Sequence, residues 1–272
     1  MRYVLLGFLL FERYYTFMFK TQFPEMDQLI KELASALQAT LGDRLSGLYL
    51  FGSLVGGDFD PKTSDMDLLA MVKKDITEAE LANLRQMHET FRRAHPEWVD
   101  RIEVAYVGVS AMREFKTGTV KIARISPGEP LHYRDMDIQW LMDWYIVQEQ
   151  GLVIVGPPAK AFIPHITSQE FIASLKDSLL SWLAMAKEAR HKGYQSYIIL
   201  SMCRSLYAIK FGKQISKFKG AEWAMREYSA WADLIQKAVE WHGSSDKSDN
   251  LASQTETVKF VVFALSQLGY RV

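Results

Sequence analysis

"LYLFGSLVGGDFDPKTSDMDLLAMV", residues 48–72, begins and ends as buried strand and fills its middle with glycines and four aspartates, Asp58, Asp60, Asp65 and Asp67. Side chains two apart on a strand point to one face, so Asp65 and Asp67 project together while Met66 turns the other way into a core. Two like charges held this close repel unless a cation lies between them. Mg²⁺ meets the need: it is a hard ion that takes oxygen ligands, typically one or two carboxylates plus substrate phosphates and water. Gly52 and Ser53, where the first strand ends, add a complementary feature. The glycine lets backbone N–H groups approach a phosphate and the serine hydroxyl supplies another donor, making a small anion nest.

A third carboxylate follows in "RIEVAYVGV", whose apolar and polar residues alternate as in a strand. Glu103 lies mid-strand between Ile102 and Val104, where an unpaired charge is costly. If that strand runs beside the Asp65–Asp67 strand, three acids converge. Phosphate donors on one side and metal-binding acids on the other suit nucleotidyl transfer, with metal clamping an in-line displacement at the α-phosphorus. Glu103 then serves as metal ligand, as general base for the attacking hydroxyl, or as both. The plainer alternative makes Gly52-Ser53 a turn, Asp65 and Asp67 caps, and Glu103 the partner of Arg101 or another base.

The remaining segments fall into two kinds. "EMDQLIKELASALQATL" (25–41) has helical apolar spacing and ends at Gly42; Thr77 and Glu80 form a capping-box pattern before a helix that stops near Pro96. Residues 110–135 read as irregular, with "SPGEP" (126–130) as a loop. "MDIQWLMDWYIVQEQG" (136–151) reads as a helix, "LVIVG" as a short strand, and Gly156-Pro157-Pro158 as a domain break. Beyond it, 168–192, 195–211, 220–241 and 253–268 all have helical period, which predicts an all-helical bundle.

The 272 residues and 31.2 kDa accommodate one large domain or two ordinary ones. The single cysteine, Cys203, cannot pair within the chain, and no Cys/His cluster has zinc spacing, so a cytoplasmic setting is expected. Formal charge is zero and no basic stripe tracks a phosphate backbone, which argues against nucleic-acid partners. Residues 1–164 carry 18 Lys/Arg against 22 Asp/Glu, and residues 165–272 carry 14 against 10. The apolar run Val4–Phe11 is shorter than the roughly 20 residues a membrane span needs, and no small-residue cleavage site follows it. Residues 1–25 are expected to be an upstream extension, with Met18 or Met26 nearer the start, or an extra element packed on the core.

Gly52-Ser53, eleven residues, then Asp65-x-Asp67 and a later strand glutamate resembles the nucleotidyltransferase superfamily motif. Together with "GLVIVGPPAKAF" and "SMCRSLYAIKFGKQISKFKGAEWAMREY", the chain resembles the adenylyltransferases that modify streptomycin and spectinomycin. The resemblance implies an α/β (α+β) nucleotidyltransferase domain with a small mixed sheet over residues 26–158 and an all-α helical domain over 159–272. It implies ATP as co-substrate, bound between the domains, and a small-molecule acceptor; a protein without a membrane partner, acting as a monomer, is expected. Asp65 and Asp67 would hold Mg²⁺ and Glu103 would be the base; Ser53 and Ser64 would contact phosphates. Lys217 falls on the family's triphosphate-binding lysine, Arg204 on an arginine of the preceding helix, and Trp241 near an aromatic at the nucleotide. Lys217 also stands just before a helix start, where the dipole favours anions.

The sequence departs from that family in three places. The loop before Asp65 is one residue longer, Gln139 stands where an acid is expected with Asp137 two positions away, and "AKEARHKGYQSY" lacks the tryptophan of streptomycin-active relatives. Acceptor recognition is therefore the part that differs, which makes spectinomycin or another aminoglycoside a better expectation than streptomycin. Protein AMPylation, a nucleotide-binding module without catalysis, and a nucleic-acid polymerase are the rivals. The long helical half, the three acids and the neutral charge argue against them in turn.

Overall fold

A computed structural model of the chain describes residues 19–244, 246 and 248–271, so most of the 1–25 extension lies outside the described residues. These residues form two compact units. One comprises the chain up to Val55 together with Asp65–His165; the other comprises Gly56–Ser64 and Ile166 onward. The first unit thus continues past the Gly156-Pro157-Pro158 break, and the loop Gly56–Ser64 belongs to the second.

The first unit is built on a six-stranded mixed sheet in the order β5-β4-β3-β2-β1-β6. Its strands are β1 (Leu45–Phe51), β2 (Met66–Val72), β3 (Ile102–Gly108), β4 (Val120–Ser126), β5 (Glu129–Met136) and β6 (Leu152–Val155). Only β2 and β3 run parallel; every other neighbouring pair is antiparallel. Along β2 every residue except Asp67 is buried, so this strand is covered on both faces, as central strands of α/β sheets are.

Helix α1 (Pro24–Leu41) starts with proline in its first turn, where its missing N–H costs nothing, and buries Met26, Leu29, Ile30, Leu33 and Leu37 along one stripe. After the one-turn helix α2 (Ser53–Gly56), α3 (Glu78–Ala94) opens with the expected box: the Glu80 N–H donates to Thr77 Oγ1, and the Thr77 N–H donates to the Glu80 carboxylate at 2.9 Å. From α3, His88 reaches into the interior, its Nε2 2.6 Å from the Tyr106 hydroxyl. Burial pushes its pKa down to about 4.

Residues 110–135 are not irregular. A short helix, α4 (Val109–Glu114), leads into the β4–β5 hairpin, turned at Gly128 with φ +76°. Pro130 inside β5 and a polar β4 with Lys121 and Arg124 hide the strand period. The helix expected from Met136 starts later, because Met136 closes β5 and the Asp137 carboxylate accepts the Gln139 N–H at 2.9 Å to start a tight turn, Ile138–Trp140. Helix α5 (Leu141–Gln150) follows.

The second unit is helical: α6 (Ser168–Glu188), α7 (Lys192–Phe211), α8 (Lys217–Glu227), α9 (Ala232–Trp241) and α10 (Leu251–Gln267). Helix α7 is its axis, burying Ile198, Ile199, Leu200, Met202, Cys203 and Leu206 nearly all round while α6, α8, α9 and α10 pack against it. Buried Gln195 ends the α6 segment earlier than periodicity suggests, donating to the carbonyls of Ala189, Arg190 and Asn250. The segment 220–241 is two helices. Tyr228 and Trp231 turn the chain by packing edge-on or tilted against Trp223, Phe260 and Phe263. Among the described residues no helix is long and apolar enough to cross a membrane.

Candidate active site

Strand register brings the acids of the sheet unit together. In the parallel β2–β3 pair Asp67 lies directly opposite Glu103, and in the antiparallel β1–β2 pair Phe51 lies opposite Asp67, which places Gly52 at the same end. Asp65, one residue before β2, completes the group: one oxygen from each of Asp65, Asp67 and Glu103 lies within 4.8 Å of the others. An all-carboxylate donor set of this kind fits a hard divalent ion such as Mg²⁺.

Gly52 has a specific reason to be glycine. Its φ is +74°, and a Cβ there would overlap the Asp67 carboxylate. The next residue presents an unusual group: Ser53 Oγ is buried and has no hydrogen-bond partner among the described residues. A buried unsatisfied hydroxyl costs about 1–3 kcal/mol, so a ligand oxygen at this place would recover it.

Glu103 does have a base beside it, though not Arg101. Arg124 on β4 donates to Glu103 Oε1 from both Nε at 3.2 Å and Nη2 at 2.8 Å. Sequence reading did not single out Arg124, because the strand carrying it was read as irregular. Its position opposite Ala105, two residues beyond Glu103 on β3, puts the pair on one face of the sheet at a diagonal.

The helical unit carries the other expected residues. Ser64 closes the Gly56–Ser64 loop, its Oγ accepting the Asp60 N–H at 2.9 Å. In the same loop Asp58 Oδ2 accepts the Phe218 N–H at 2.8 Å, satisfying a donor in the first turn of α8. Lys217 is the first residue of α8, and its ammonium lies 4.7 Å from the centre of the Tyr197 ring. The Tyr197 ring also makes near-parallel contacts with the rings of Trp182 and Tyr194. Arg204 lies on α7 where Gly220 of α8 comes closest; a Cβ on Gly220 would stand 2.8 Å from Arg204 Cα. Trp241 ends α9 partly buried against the helical core, with the Lys192 ammonium 5.9 Å from its ring. His242 beside it is half-buried, and burial together with Lys217 holds its pKa below the ordinary value against the pull of Asp58 and Asp60.

Two families match this chain in tandem. The nucleotidyltransferase domain covers residues 27–126, and the C-terminal domain of aminoglycoside adenylyltransferases covers 161–267. Together the two matches identify an aminoglycoside adenylyltransferase-like nucleotidyltransferase. Its similarity to individual adenylyltransferases runs over most of both chains. It is 24% identical over 257 residues to an aminoglycoside (3'') (9) adenylyltransferase of Rhizobium radiobacter, covering 90% of this chain and 93% of the relative. To a spectinomycin 9-adenylyltransferase of Staphylococcus aureus it is 24% identical, covering 80% and 86%. The fold is shared with a spectinomycin adenyltransferase of Enterococcus faecialis solved with ATP and spectinomycin, at a TM-score of 0.70 and 17% identity over 88% of this chain and 98% of that one. With both domains present, the protein is an enzyme of the nucleotidyltransferase class.

Proposed function

We propose that the protein is an ATP- and Mg²⁺-dependent O-adenylyltransferase that moves AMP onto a hydroxyl of a small polar acceptor, an aminoglycoside or a spectinomycin-like antibiotic. The observation that carries this reading is the convergence of Asp65, Asp67 and Glu103 in the same unit as the buried, unpartnered hydroxyl of Ser53. The names of the relatives supply the acceptor class.

Asp65 and Asp67 would hold Mg²⁺, with Glu103 as the third oxygen donor; bound there, the ion would offset triphosphate charge and stabilise the departing pyrophosphate. Ser53 would donate its Oγ hydrogen to a phosphate oxygen, next to the close backbone approach that Gly52 permits, and Ser64 would add a second hydroxyl. Glu103 would take the proton of the acceptor hydroxyl as that oxygen bonds to the α-phosphorus, while the α–β bridging oxygen leaves with the bond pair. Arg204 and Lys217 are the cations of the helical unit that we assign to the triphosphate, and Trp241 is its aromatic for the nucleotide. The net negative charge of residues 1–164 favours a cationic acceptor. Residues 26–158 then carry the chemistry and 159–272 much of the ligand contact, in a cytoplasmic monomer.

Pyrophosphate release from ATP and Mg²⁺, measured across spectinomycin, streptomycin, other aminoglycosides and no acceptor, tests this reading with Glu103→Gln as control. Release that needs one acceptor and Glu103 is the expected result. ATP binding with no acceptor-stimulated release would overturn the antibiotic assignment and direct the search to a protein or metabolite acceptor.

A further inference from the structure

We infer that Arg124 is a positioning residue for Glu103: it ties up one carboxylate oxygen so that the other is presented to the reacting groups. The inference rests on the adenylyl-transfer reading above and adds a residue to it. Both Arg124 donors go to Oε1, and Oε2 has no hydrogen bond among the described residues. A glutamate side chain has three torsions to fix, and a mid-strand glutamate held by nothing would sample several rotamers. Two bonds to one oxygen, both to a side chain from the adjacent strand, remove that freedom and leave Oε2 as the donor atom open to metal or acceptor.

Arg124 is itself held from behind. Its guanidinium carbon lies 5.3 Å from the centre of the Trp140 ring, within cation–π range. Trp140 stacks on Trp144 at 5.5 Å and 19°, and Trp144 is fully buried. The turn that presents Trp140 is fixed by Asp137, whose carboxylate accepts the Gln139 N–H. A line of support thus runs from a buried tryptophan through Trp140 and Arg124 to Oε1.

The test is a set of variants read by kcat, by KM for ATP and by calorimetric Mg²⁺–ATP affinity. Arg124→Ala should lower kcat about 10- to 100-fold, with KM and Mg²⁺–ATP affinity held within about threefold, in the range that misplacing a catalytic group costs. Arg124→Lys, which keeps a charge and one donor, should recover part of the loss and serves if the alanine variant does not fold. Trp140→Leu should cost less than Arg124→Ala, and nothing further once Arg124 is gone. In the Glu103→Gln background Arg124→Ala should add little, because both act on one step. An unchanged kcat in Arg124→Ala, or full multiplication of its effect with that of Glu103→Gln, would overturn the inference. If Glu103→Gln itself leaves the rate unchanged, the base assignment falls first, which separates the two failures.

Discussion

The two units position their chemistry in opposite ways. In the sheet unit, Gly52, Asp67, Glu103 and Arg124 lie on adjacent strands within a few register positions, so the hydrogen-bond ladder sets their spacing. In the helical unit, Lys217 stands at the start of α8, Arg204 in the middle of α7 and Trp241 at the end of α9, held by side-chain packing around one central helix. Strand register tolerates almost no slip without reversing a side chain's face, whereas a helix end can shift while its core contacts persist. On the proposed function, the sheet unit then places reacting atoms and the helical unit holds ligand parts whose placement can vary. Loss of rate should follow damage to the first, and loss of affinity damage to the second.

That contrast can be broken experimentally. Asp67→Asn removes a carboxylate that cannot be replaced by a neighbour; turnover should fall by about 10³-fold or more, with loss of Mg²⁺ binding by calorimetry and matching loss on metal chelation. Acid should act next, and on the sheet unit. The pKa of His88 falls from its ordinary value of 6.5 to about 4 on folding, so between those values the unfolded chain binds a proton that the native chain refuses. Stability contributed by neutral His88 is complete above pH 6.5 and lost as pH falls toward 4, by about 3 kcal/mol. Urea midpoints at pH 7 and pH 4.5 measure it, and His88→Gln should flatten the slope.

Glu103→Gln comes third: about 10²-fold in rate with Mg²⁺–ATP affinity retained. Equal loss of nucleotide binding in the Asp67 and Glu103 variants would leave Glu103 as a ligand only. Lys217→Ala should weaken ATP binding about tenfold, the scale of one charge-assisted contact, with kcat at saturating ATP little changed. A large kcat loss there would erase the division of labour drawn above. The smallest effect belongs to Asp58→Ala, which uncaps a donor at the start of α8; a loss of about 1 kcal/mol should show as a lower melting temperature.

The same contrast explains what could be read in advance. Asp65, Asp67 and Glu103 were legible because period-2 alternation assigns each to a strand face, and acids on a buried strand need a reason. Gly52 and Ser53 were legible from the glycine turn. Arg204, Lys217 and Trp241 come from three different helices, so no local pattern links them, and only resemblance to a family singled them out. Arg124 escaped because Pro130 and scattered polar residues mask the β4–β5 hairpin. The break between α6 and α7 lies a few residues before its expected place and the break at Tyr228–Trp231 was not expected, because Gln195 reaching Asn250 and Tyr228 reaching Phe263 are contacts distant in sequence.

Asp58 accepts an N–H of α8 from a nine-residue stretch, Gly56–Ser64, that the chain spells out between β1 and β2. The helical unit therefore does not begin where the second half of the sequence begins. A recombination event that exchanged only the C-terminal half between two relatives would deliver helices without the peptide that completes them, and leave behind a loop fitted to the helices it lost. Acceptor range in such enzymes would then change by paired substitution in loop and helices more readily than by trading halves. A chimera joined near residue 165 should regain stability when residues 56–64 are transferred with it.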